Sequence, residues 1–91
     1  MSLHTVRIEL HGGTDEEYKD LHAVMRKAGF SRTVRKGGTT YELPTAEYSL
    51  RSKKTTRRVR SMAEAAADET GRPAAILVTT GKRRFTGLKK V

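Results

Sequence analysis

An α+β fold with the element order β-α-β-β-α-β is predicted by three features of this 91-residue sequence. Apolar residues alternate with polar ones from Thr5 to His11. They recur every three or four positions from Tyr18 to Ala28 and again from Val59 to Ala66. Between and after these helical stretches lie short segments rich in β-branched and aromatic residues, punctuated by glycine and proline.

The first strand is carried by "HTVRIELH", in which Val6, Ile8 and Leu10 share one face while Arg7, Glu9 and His11 share the other. Gly12 and Gly13 end it, and Thr14 with Glu17 has the spacing of a capping box, so a helix starts there. Tyr18, Leu21, Val24, Met25 and Ala28 form its buried stripe over about four turns, until Gly29 stops it. Phe30 to Val34 reads as a second strand, and "RKGGTT" reads as a hairpin loop because paired glycines accept positive φ. In "TTYELPTAEYSL" the apolar parity changes at Pro44: Tyr41 and Leu43 lie on one side of it, Ala46, Tyr48 and Leu50 on the other. Proline cannot donate to a ladder, so a bulge or bend there divides the strand into two pieces. The second helix buries Val59, Met62, Ala63 and Ala66 and stops at Gly71 and Pro73; "AAILVTT" then supplies a central strand. For the tail "KRRFTGLKKV" two readings stand: a short edge strand using Phe85 and Leu88, or a basic arm.

This order is the ferredoxin-like split βαβ arrangement in a single domain, residues 1–91, with room for an extra C-terminal edge strand. Right-handed crossovers would put both helices on one face of a four-stranded antiparallel sheet and leave the other open. The open face should carry Arg7, Glu9 and His11, with Thr40 and Glu42 beside them if their strands are neighbours.

Charge narrows the class of partner. There are 19 Lys and Arg against 10 Asp and Glu, a formal charge of +9. That density marks a polyanion partner, with RNA expected ahead of DNA. The cations are concentrated: Arg51, Lys53, Lys54, Arg57, Arg58 and Arg60 fall within ten residues at the start of a helix, and Lys82, Arg83 and Arg84 follow the last strand. Cations at a helix N-terminus oppose its dipole, and a bound phosphate would reverse that penalty. No cysteine is present, which fits a reducing, cytoplasmic setting, and no run of about 18 apolar residues would span a membrane. No cofactor or metal cage is expected from three scattered histidines, and there is no phosphate-binding glycine loop.

The stretch "TVRIELHGGTDEEYKDLHAVMRKAGFSRTV", then "YELPTAEY", a helix and "AAILVTT", resembles the small bacterial proteins grouped with the GhoS-type endoribonuclease antitoxin. The likeness covers most of the chain through structural motifs. It implies a ferredoxin-like fold akin to the CRISPR-associated spacer-acquisition nucleases, and an antitoxin of a toxin–antitoxin system that cuts its partner toxin's messenger. The related metal-dependent nucleases place an aspartate at the end of strand one, where this chain has His11-Gly12-Gly13. Any cleavage is therefore expected to be metal-independent, with His11, Glu9 and Arg7 as the candidate base and transition-state cation.

With Tyr41 sharing the parity of Leu43, base stacking on the sheet is not expected, and phosphate contacts should dominate nucleic-acid binding. Exposed sheet edges predict a homodimer. The alternative function is a non-enzymatic homodimeric interaction module with a solvated basic face.

Overall fold

The computed structural model describes residues 1–91. Its order is β1 (Ser2–Leu10), α1 (Asp15–Lys27), β2 (Thr33–Lys36), β3 (Thr39–Glu42), β4 (Glu47–Ser52), α2 (Thr56–Asp68), β5 (Ala74–Thr80) and β6 (Lys89–Lys90). Two antiparallel three-stranded sheets result, β4-β1-β5 and β2-β3-β6.

Alternation along β1 positions the core. His4, Val6, Ile8 and Leu10 are buried while Arg7 and Glu9 face solvent. Leu21 and Met25 of α1 and Val59, Ala63, Ala66 and Ala67 of α2 pack in the same cluster, so both helices cover one face. Each fully buried Val, Ile or Leu contributes roughly 1.5–3 kcal/mol relative to leaving it exposed. The alanines leave little between α2 and the sheet, which brings the helix close. Below Tyr18, Gly13 is needed for space: a Cβ there would lie 2.7 Å from the Leu10 Cβ.

Both helix starts are capped, the first as its sequence predicts and the second by a residue that the sequence pattern did not single out. Thr14 and Glu17 form the capping box of α1, and the Thr55 side chain accepts from the Arg58 N–H at α2. The hairpin between β2 and β3 turns at Gly37 and Gly38, whose φ values of 57° and 82° suit a tight two-residue loop.

The expected four-stranded sheet is not continuous. Beyond β4 there is one bridge, Ser31 to Ser49, closed by two backbone hydrogen bonds of 2.8 Å. At the next residue the ladder stops, because the Arg32 guanidinium turns onto the carbonyls of Leu43, Pro44 and Glu47 and draws in the loop between β3 and β4. β2 then peels away and pairs with β3 instead. Pro44 therefore separates two strands in different sheets rather than bending one. Thr40 and Glu42 consequently do not neighbour β1; Arg7 stands opposite Glu47 on β4 and Leu77 on β5.

The tail does add a C-terminal edge strand, β6 beside β3, but from other residues than the apolar pattern suggests. Residues 81–88 run without regular structure, and the edge strand is Lys89–Lys90 rather than Phe85 and Leu88. No helix is long and apolar enough to cross a membrane.

Candidate anion-binding cleft

A cleft of about 870 Å³ opens between the helix-free face of the first sheet and the second sheet. Leu3, Ser49 and Arg51 supply one wall, Ser31 with Thr33 to Lys36 another, and Lys82 to Phe85 cross between them. The local sequence explains the route. Gly81 follows β5, and its φ of 138° admits a sharp exit while its N–H bonds the Leu3 carbonyl at 2.9 Å. The chain is thereby turned over the open face of β1 before it reaches β3 as β6.

Six cations line this cleft: Arg35, Lys36, Arg51, Lys82, Arg83 and Arg84, with no carboxylate among the lining residues. None of the six forms an ion pair; the molecule's ion pairs are Arg7 with Glu9 and Glu47, Lys19 with Glu16, Arg32 with Glu42, Arg60 with Glu64 and Arg72 with Glu17. Arg83 is the most constrained of them. It is half-buried, and its Nη1 donates to Thr5 Oγ1 at 3.2 Å and to the His4 carbonyl at 3.5 Å. Burial without a carboxylate pushes its pKa below the ordinary arginine value. A desolvated guanidinium with unused donors is a receptor for an anion, which would satisfy the donors and offset the burial cost.

The nine nucleic-acid candidates divide into two groups. Arg51, Lys82, Arg83 and Arg84 line the cleft, whereas Lys53, Lys54, Arg57, Arg58 and Arg60 do not. Lys53 and Lys54 sit exposed in the turn after β4, and Arg57, Arg58 and Arg60 on the exposed first turns of α2, which carry no acid in the first turn. Because α2 covers the opposite face, the basic residues wrap round one end of the sheet from the cleft to the helix start. Arg60 is partly neutralised by Glu64 at 3.1 Å.

Arg35 and Lys36 escaped the sequence reading, which took "RKGGTT" only as a hairpin. The available signal was two adjacent cations before paired glycines, at a turn that necessarily projects from a sheet.

The cleavage candidates lie on the open face and past its end. Arg7 donates to Glu9 at 2.6 Å and to Glu47 at 3.2 Å, and these carboxylates raise its pKa, the Glu9 hydrogen bond most of all. The guanidinium is thus committed to two acids. His11 lies exposed in the turn after β1; its N–H bonds the Pro73 carbonyl, and its ring makes no hydrogen bond. The other histidines have packing roles. His22 Nδ1 sits 2.6 Å from the Tyr48 hydroxyl, with burial, then Arg32 and Arg26, holding its pKa down against Glu42. His4 Nδ1 lies 2.8 Å from Thr80 Oγ1, which in turn is 2.6 Å from Thr56 Oγ1 at the start of α2. No group of three His, Asp or Glu side chains is arranged to hold a metal ion.

Set against known proteins, the chain matches no family model, no curated protein and no solved structure.

Proposed function

We propose that this protein binds RNA through its phosphate backbone in the cleft between the two sheets. The observation that carries the reading is the set of six unpaired cations facing one cavity without a carboxylate, in a chain of formal charge +9. Charges of one sign lining one cavity add their fields there and raise the local concentration of anions, an effect that salt screens. Ser49 in the same wall offers a hydroxyl to a ribose 2′-OH, the group that distinguishes RNA from DNA. Exposed Lys53, Lys54, Arg57 and Arg58 extend the path round the end of the sheet.

Fluorescence anisotropy with a labelled single-stranded RNA, titrated across salt concentrations, tests the reading. The log–log plot should slope by about −0.7 per neutralised phosphate. A salt-independent affinity, or none at low salt, would sink it. A DNA strand of the same sequence should bind more weakly.

Within this reading, the ferredoxin-like, GhoS-type resemblance adds cleavage as a further proposal, with His11, Glu9 and Arg7 as the residues to test. Binding is the better supported half, since Arg7 is already shared by two carboxylates. RNA degradation by purified protein that disappears in His11→Ala would establish the other half.

Self-association is the second reading. The outer edge of β5 has no neighbouring strand, and Leu77 on the same strand is 65% exposed. A monomer mass that stays constant in sedimentation from micromolar concentration upward would remove it.

A further inference from the structure

Phe85 is the aromatic residue among those lining the cleft, and it comes from the irregular segment rather than from a sheet strand. Its ring meets Tyr41 edge-on, with centroids 5.2 Å apart and planes at 62°. That contact fixes the ring's orientation without covering it by a parallel stack. Lys36 Nζ lies 5.6 Å from the ring centroid, over its face. Phe85 is only partly buried and lines the cleft, so a ligand there can reach the ring by displacing the Lys36 ammonium from over its face.

We infer that Phe85 is a stacking platform for one unpaired nucleobase, which makes the ligand of the cleft a single strand rather than a duplex or a bare polyanion. The inference rests on the phosphate-binding reading of the cleft. Lys36 holds the platform in the free protein through a cation–π contact, the weaker of the two interactions open to it. A phosphate entering beside Arg83 and Arg84 gives the Lys36 ammonium a charge-assisted partner, and the ring face passes to the base of that nucleotide. A base in a duplex is already stacked on both faces and cannot enter. Stacking of this kind accepts any base, so the site contributes strand selectivity with little sequence preference.

The test compares two probes on the full chain: an oligouridylate and inorganic polyphosphate of equal length. Replacing Phe85 by Leu keeps an apolar group but removes the π face, so the oligouridylate-to-polyphosphate affinity ratio should fall about five-fold or more. Phe85→Tyr should hold the ratio near the parent value. In the unaltered protein, irradiating an oligomer carrying 5-iodouridine should form a crosslink at Phe85. An unchanged ratio in Phe85→Leu, an equal fall in Phe85→Tyr, or crosslinks confined to other residues would overturn the platform. Polyphosphate binding that does not respond to Arg83→Ala with Arg84→Ala would instead overturn the cleft reading beneath it.

Discussion

Arg32 and Arg83 are both drawn in from solvent, yet their surroundings are opposite. The Arg32 side chain, 17% exposed, donates to three backbone carbonyls at 2.5–2.6 Å, lies over the Tyr48 ring at 5.7 Å and approaches Glu42 at 3.9 Å. Arg83 has a hydroxyl at 3.2 Å, a carbonyl at 3.5 Å and no carboxylate. A guanidinium whose donors are used up inside the protein holds architecture together, because removing it strands its acceptors. One left short of acceptors contributes little to the fold and is available to a ligand.

Stability measurements can break that contrast most directly at Arg32. Arg32→Ala leaves three carbonyls without their charged donor and frees the loop that separates the sheets. Urea unfolding should show a loss of about 3 kcal/mol, since hydrogen bonds to charged groups are worth roughly 1.5–3 kcal/mol each and are not additive. A loss below about 1 kcal/mol, the level of an ordinary surface contact, would place Arg32 with Arg83 rather than against it.

The reciprocal experiment is Arg83→Ala with Arg84→Ala. Stability should stay within about 0.5 kcal/mol of the parent. RNA affinity at low salt should fall at least about ten-fold, and the salt slope should flatten by about 1.4 units, two phosphates at 0.7 each. Retained affinity together with lost stability would invert the comparison.

Arg57→Ala with Arg58→Ala tests how far the basic surface extends beyond the cleft. These residues sit on the helix side, so the flattening should be smaller, about one unit, and equal for different RNA sequences. The fold should gain a few tenths of a kcal/mol as cations leave the positive end of α2.

The smallest effect sharpens the contrast from a third arginine. Arg72 Nε donates to Glu17 at 2.6 Å, tying the start of α1 to the approach to β5. That hydrogen bond, helped by the Thr14 N–H, lowers the Glu17 pKa to about 2 from 4.5. Between those values the unfolded chain binds the proton and the folded one does not. The stabilisation is therefore present above pH 4.5 and is lost as pH falls toward 2. In Arg72→Ala the decline in unfolding midpoint across that window should be shallower. An identical acid profile would show that the pair adds nothing.

The features legible along the chain are local ones. Thr14 and Glu17, the Gly37-Gly38 turn and the alternation of Val6, Ile8 and Leu10 specify a cap, hairpin and strand faces through interactions that span a few residues. Tertiary structure decided which strands pair. The parity change at Pro44 was legible, but not that Arg32 would end a ladder after one bridge and send β2 to a second sheet, because its carbonyl partners lie 11 to 15 residues away. The same long-range choice put Glu47 rather than Glu42 beside Arg7, and Arg35 and Lys36 opposite Arg51 and Arg83. Clustering of charge along the chain reveals a basic protein, but a cleft is made by residues far apart in sequence that the packing of two sheets brings to face one another.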